Sequence, residues 1–273
     1  MRHRLRSWIA LAALMLVPVT VPAADLVFSV TEGVTYQATP KEIRDKFEPL
    51  AQALGIALKR SVRVVLVPKY DDVRAGLAKQ EYDLAFIHPA HVALAEVKAG
   101  RYKTIAWTAG FTEYTVSLMV KANDAAKELA EIKGRKLVTP DPDSITAWMV
   151  RAMLRKANIG PDDLKILTTR YQDAVPFYLE YGFADVGATA ANAVVKEWTD
   201  KGGKVFLKSR SVPIKYFLAS TKLSTEEQER IQHALLTLAQ TEPGRLALGA
   251  VGYRGFVAPD HAIDVTAIAW LGL

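Results

Sequence analysis

Two histidines three residues apart bracket a proline and an alanine in the string His88-Pro89-Ala90-His91, directly after the apolar run Leu84-Ala85-Phe86-Ile87. Imidazoles placed this way serve one of three ends: metal ligation, hydrogen bonding to a bound molecule, or packing at a helix start. Metal ligation lacks an obvious third partner, because His233 and His261 are distant in sequence and the chain has no cysteine; no metal is expected. As a ligand contact, a histidine adds a donor that turns cationic near a pKa of about 6.5. The first turn of a helix after a strand is also where open α/β sheets hold small molecules.

A second string, Asp141-Pro142-Asp143-Ser144-Ile145-Thr146-Ala147, reads as another turn into a helix. First-turn N–H groups lack intrahelical partners and the helix dipole adds positive potential, so an oxyanion is bound well there. The hydroxyls of Ser144 and Thr146 stand ready to join the backbone N–H groups around Ile145. Serine at that place is equally a plain N-cap of its own helix. Two such starts, at Pro89-Ala90-His91 and at Ser144, would grip one small anion from both sides if a hinge brought them together. Gly-x-Ser-x-Gly, Walker, His-Glu-x-x-His and Gly-x-Gly-x-x-Gly patterns are all missing from the chain, so binding is expected rather than catalysis, and no cofactor.

The elements that must position these residues alternate between apolar runs and amphipathic segments, the pattern of parallel-sheet α/β architecture. Strands are expected at 25–30, 62–67, 82–87, 104–108 and 115–121, then at 137–139, 164–168, 185–188, from 205, and at 216–220. Helices are expected between them at 71–79, 89–99, 144–157, 173–181 and 190–201, with more over 243–251 and 261–270. Thr39-Pro40 with Glu42, and Ser224 with Glu227, each carry the spacing of a capping box and so mark helix starts.

Composition narrows the class. Arg2, Arg4 and Arg6 precede the uncharged apolar run from Trp8 to Val17, and Val21-Pro22-Ala23 supplies small residues before Ala24. This is a signal-peptide pattern over residues 1–23, so export to the periplasm is expected, with removal near Ala24 or Asp25. The run is about half of the roughly 20 residues needed to span a bilayer. With no cysteine there is no disulfide and no lipid-modified cysteine, and the product is expected to be free and monomeric. The formal charge of +6 falls to +3 without the three leader arginines, an ordinary surface with no nucleic-acid footprint.

Three strings resemble the phosphate/phosphite/phosphonate-type substrate-binding proteins, soluble components of bacterial import systems. Glu81-Tyr82-Asp83-Leu84-Ala85-Phe86-Ile87-His88-Pro89-Ala90 is similar to that family's acidic strand ending in Gly-Pro, with His88 in place of glycine. Asp141 to Ala147 resembles its Asp-Pro-x-Ser-x-Ser-Gly turn. Ala184-Asp185-Val186-Gly187-Ala188, followed by Asn192 and by Ser211-Val212-Pro213, resembles its Asp-Ala-Gly strand and Ile-Pro crossover. The resemblance implies a type II periplasmic binding protein: two lobes, each a mostly parallel sheet flanked by helices, joined by two hinge strands. Lobe one would take residues 24–113 and 215–273, and lobe two residues 114–214. The implied partner is the membrane permease of an ABC importer, with presentation to a sensor kinase as the alternative. Arg170-Tyr171-Gln172-Asp173 stands where family members often carry Ser-His-Asp, and Arg170 and Tyr171 are candidate donors to the ligand, against a solvated surface arginine. Asp185 resembles an acidic residue that could meet a ligand amino group, or it braces a strand end. Tyr36 and Tyr114 are candidates for closing over the ligand, against core packing.

Overall fold

The computed structural model describes residues 25–32, 39–67 and 69–273; the leader reading over 1–23 and the candidate Tyr36 lie outside them. The first part of the chain runs β1 (Leu26–Thr31), α1 (Pro40–Leu58), β2 (Val62–Leu66), α2 (Tyr70–Ala78), β3 (Leu84–Ile87), α3 (Ala90–Lys98) and β4 (Tyr102–Thr108). It continues with β5 (Ser117–Val120), β6 (Lys136–Thr139), α4 (Ile145–Lys156), β7 (Lys165–Thr168), α5 (Val175–Glu180), β8 (Val186–Thr189), α6 (Asn192–Asp200) and β9 (Lys204–Lys208). It returns through β10 (Tyr216–Ser220), α7 (Thr225–Leu236), α8 (Glu242–Val251), β11 (Phe256–Val257) and α9 (His261–Leu271).

Both capping boxes form. Thr39 accepts from Glu42 N while the Glu42 carboxylate takes Thr39 N, and Ser224 and Glu227 repeat the exchange. These boundaries are set locally, which is why spacing alone marks them. Six strands make the first sheet in the order β11-β4-β10-β3-β1-β2, and five make the second in the order β7-β6-β8-β5-β9. The two-lobed α/β architecture therefore stands: four of the six strands of the first sheet and four of the five of the second run in one direction, with β10, β11 and β5 reversed. β1, β2 and β3 are parallel, as are β6, β7 and β8, whereas the strands that follow a crossing, β5 and β10, pair antiparallel to their neighbours. β11 has only two residues and no run of its own to announce it.

The chain crosses between the sheets twice, after Thr108 and after Lys208. The crossings are tied to each other: Tyr114 and Val212 exchange both backbone hydrogen bonds at 3.0 Å, and Ser209 Oγ accepts from Val116 N at 2.9 Å. Such a two-strand bridge permits relative rotation of two rigid bodies while holding their separation.

Strands covered on both faces read as continuous apolar runs. In the first lobe Phe28, Phe47, Phe86 and Phe217 interlock, with Phe28 stacked on Phe217 at 5.2 Å between centroids. In the second lobe Gly187, in β8, allows α5 to lie close to the sheet. A Cβ there would come within 2.6 Å of Val175 Cγ1. That close approach sets the position of the turn preceding α5.

Candidate functional site

Helices that follow parallel strands begin at the carboxyl ends of those strands, so their starts gather at one edge of each sheet. Here they gather at one cavity of about 260 Å³ between the two sheets. From the first lobe come Tyr70, the first residue of α2, and His88-Pro89 before α3. From the second come Ser144, Ile145 and Thr146 at the start of α4, and Tyr171, Gln172 and Asp173 in the turn that runs into α5. Ala191 and Val194 at the start of α6, and Tyr114 of the first crossing, complete the wall. Five helical starts thus share one space, and none of the described residues lining it is lysine or arginine.

At α4, Ser144 Oγ accepts from Ala147 N at 3.1 Å, so the serine is an N-cap. Capping uses its oxygen as acceptor and leaves its hydroxyl proton to be given elsewhere. The N–H groups of Ile145 and Thr146 make no hydrogen bond among the described residues, as first-turn donors do.

Behind this turn runs a polar relay. The Gln172 amide oxygen accepts from Ala190 N at 2.6 Å and from Thr189 Oγ1 at 3.1 Å, which turns its amino group toward Tyr114 Oη at 3.2 Å. Tyr114 Oη lies 2.9 Å from Thr146 Oγ1. Tyr114 already accepts from Gln172, so whichever hydroxyl of this pair donates to the other, one proton remains for a guest in the cavity both residues line. Burial raises the Tyr114 pKa, keeping the phenol protonated and able to donate.

On the opposite wall His88 Nδ1–H donates to the Glu32 carbonyl at 2.9 Å. Burial pushes its pKa from 6.5 down to about 4, and the neighbouring Lys215 charge acts in the same direction. At neutral pH the imidazole is therefore uncharged, and any contact it makes is that of a neutral ring. The His88–Pro89 peptide bond is cis. Beneath it sits a buried ionic cluster. Glu32 accepts from the Tyr253 hydroxyl and from Lys46 at 2.5 Å and 2.9 Å, and Lys215 Nζ lies 3.5 Å from it. Burial alone would raise the Glu32 pKa, but Lys215, the Tyr253 hydroxyl and Lys46 more than offset it and hold the carboxyl below its ordinary range.

Of the residues singled out from sequence, His88, Pro89, Tyr114, Ser144, Ile145, Thr146 and Tyr171 meet at the cavity. Ala90 is fully buried behind Pro89, at the first position of α3. His91 turns away to Asp143, its Nε2 being 3.1 Å from that carboxylate. Arg170 is exposed, its guanidinium 5.2 Å from the Tyr171 ring and outside the cavity wall. Asp185 is corrected on topology. It precedes β8 and accepts Lys136 N at 2.8 Å, so it braces the amino end of a strand whose carboxyl end faces the cavity. Tyr70, Gln172, Asp173, Ala191 and Val194 were not anticipated. Among the described residues no group of three or more His, Cys, Asp or Glu is arranged to hold a metal, and no helix is long and apolar enough to cross a membrane.

A family model described as "ABC transporter, phosphonate, periplasmic substrate-binding protein" matches residues 33–263. Comparison with curated proteins gave no match. Among solved structures, a Xanthomonas citri protein bound to ATP superposes with a TM-score of 0.75 at 14% identity, over 91% of this chain and 97% of that one. PhnD1 of Prochlorococcus marinus, in complex with methylphosphonate, gives 0.65 at 14% identity over 90% and 96%. A binding-protein component of an ABC phosphonate transporter from Pseudomonas aeruginosa gives 0.62 at 16% identity over 91% and 85%. Identities this low speak for the fold, while the family model spans most of the sequence and carries the assignment: the chain belongs to the periplasmic substrate-binding proteins of phosphonate-type ABC transporters.

Proposed function

We propose that the cavity captures a small organophosphonate or a related oxyanion such as phosphite or phosphate, and that the closed, loaded protein delivers it to an ABC permease. The observation that carries this reading is the convergence of five helical starts on one space whose described lining has no lysine or arginine. Unpaired N–H groups at Ile145 and Thr146, the Ser144 hydroxyl and the Tyr114–Thr146 pair supply donors, and the helix dipoles supply positive potential. Donors fixed before the ligand arrives add affinity because little ordering remains to be done on binding.

Size narrows the class further. About 260 Å³ is below the roughly 300–1,000 Å³ typical of drug-sized sites, which favours a ligand of few heavy atoms over a nucleotide. Tyr70, Tyr114 and Tyr171 offer ring surface for a short organic substituent, with Asp173 exposed at the rim. The test is thermal unfolding of the purified protein with methylphosphonate, phosphite, phosphate, ethanesulfonate and acetate. At a hundredfold excess over Kd a bound ligand adds about 2.7 kcal/mol of stability. A melting shift with at least one phosphorus oxyanion is expected; a panel that shifts nothing overturns the reading.

A further inference from the structure

Beside the cavity, and outside its lining, one carboxylate joins the two lobes. Asp143, in the turn before α4, accepts from Arg74 Nη2 with both carboxylate oxygens, at 2.6 and 2.7 Å, and from His91 Nε2 with one of them at 3.1 Å. Arg74 belongs to α2 and His91 to α3, both of the first lobe, whereas Asp143 belongs to the second. The contact is also apolar: the His91 ring stacks on Trp148 of α4, with centroids 4.8 Å apart and planes at 17°. Arg151 lies over the same indole at 4.8 Å and donates to the Pro142 carbonyl, holding the turn that carries Asp143.

We infer that Asp143, with Arg74, His91 and Trp148, is an interlobe latch that holds the starts of α3 and α4 together and so sets how readily the cavity opens. Three features separate it from an incidental surface ion pair. Asp143 directly precedes Ser144, and His91 is the second residue of α3, so the latch clamps two of the helical starts that form the cavity. The Tyr70 ring, part of the cavity wall, packs edge-on against His91 at 6.4 Å and carries Arg74 at 5.7 Å, so latch and wall share a surface. Finally, the contact has the attributes of something that makes and breaks. Asp143 and Arg74 each keep 37% of their side-chain surface exposed, while the His91 Nδ1 is buried with no hydrogen-bond partner among the described residues. Separation of the lobes would hydrate that nitrogen, which offsets part of what the latch contributes.

Asp143, Arg74 and His91 are therefore positioning residues: they act on a guest only through closure. Because the chain has no cysteine, labels can be placed at Lys69→Cys and Arg170→Cys, exposed positions next to cavity residues of opposite lobes. Spin–spin distances measured without ligand should be short in the otherwise unchanged protein. They should lengthen in Asp143→Asn, an isosteric change, and in Arg74→Ala, on a partly exposed helix face, with circular dichroism confirming that both fold. Identical distance distributions, or an unliganded protein already as open as the variants, overturn the latch. The affinity arm rests on the reading of the cavity as the ligand site. Calorimetric titration with methylphosphonate and with phosphate should show both weakened by one common factor, on the order of tenfold. A changed ratio between the two would make Asp143 a ligand contact and also overturn the latch. If neither probe binds the unmodified protein, the oxyanion reading fails, and the distance measurement still decides the latch.

Discussion

The two walls of the cavity are built on opposite principles. The second-lobe wall is a set of neutral donors: Gln172, Tyr114 and Thr146 joined in a relay that is satisfied internally except for its outward protons, and Ser144 capping its own helix beside them. The first-lobe wall is an uncharged imidazole, His88, resting on the buried charges of Glu32 and Lys215, with the half-buried Lys46 beside them. A donor array presents the same face to an oxyanion before and after closure, because each member's geometry is fixed by its neighbours. A buried ionic cluster instead ties structural elements together. Lys215 stands at the end of the second crossing, and its ammonium lies 4.3 Å from the Phe111 ring of the first. On the proposed reading, the contrast would give recognition to the second lobe and mechanical integrity at the hinge to the first.

The sharpest way to break this contrast is to remove a charge from the first wall. Lys215 and Glu32 are 4% and 5% exposed, so Lys215→Met leaves a carboxylate with part of its compensation gone. Removing one member of a buried pair costs about 3–5 kcal/mol, whereas removing both costs less. Lys46 and Tyr253 still reach Glu32, so a loss near the lower end, about 3 kcal/mol, is expected in urea unfolding. Part of that loss should return in Lys215→Met with Glu32→Gln. A Lys215→Met protein as stable as the parent would remove the structural role of this wall.

Next in size is a pH effect carried by the same wall. Between pH 6.5 and about 4 the unfolded chain binds a proton that folded His88 refuses. Stability is thus full above 6.5 and falls as the pH drops through that window, by about 3 kcal/mol at 1.36 kcal/mol per pKa unit. His91, also lowered by burial, adds in the same direction, so the diagnostic quantity is the difference from His88→Asn. Asparagine keeps a donor for the Glu32 carbonyl and does not titrate, and its stability should fall less steeply from pH 6.5 to 4. Equal slopes would show that His88 is not held neutral.

On the second wall the expected effects are on affinity. Tyr114→Phe leaves the Gln172 amino group without its acceptor and Thr146 without its partner. Loss of a hydroxyl that satisfies buried groups costs about 1–3 kcal/mol, and here about a tenfold loss of oxyanion affinity is expected, measured by calorimetry. Stability should change by less than in Lys215→Met. If Tyr114→Phe binds as tightly as the parent, the relay is a packing feature and the contrast between the walls dissolves.

How much of this was legible in the chain depended on whether the information was local. Thr39 with Glu42, Ser224 with Glu227, and the helix starts at Pro89 and Ser144 are decided within four residues, and each formed where spacing indicated. Seven of the residues chosen for the site line one cavity, because topology brings the starts of helices after parallel strands to one edge. The Gln172–Tyr114 link and the Arg74–Asp143–His91 contact escaped, since their partners lie 52 to 69 residues apart. No periodicity encodes such distances. Alternation of apolar and polar residues likewise indicates strands without fixing their direction, so the antiparallel β5 and β10 were not foreseen.

Asp185 shows what strand direction adds, and it yields the smallest expected effect. Its residue type suits a ligand amino group, but it stands before β8, while Thr189, the last residue of β8, and Ala190 and Ala191 just after it, which join the relay or the wall, lie at its other end. Four residues of strand at about 3.3 Å each separate the two ends by roughly 13 Å, well beyond contact with a guest of a few heavy atoms. Asp185→Asn should therefore leave methylphosphonate affinity unchanged within twofold, and should cost less than about 0.5 kcal/mol of stability because the amide oxygen can still accept Lys136 N. A tenfold change in affinity would place the guest at the amino end of the sheet, and would reverse the polarity on which the assignment of the second wall to recognition depends.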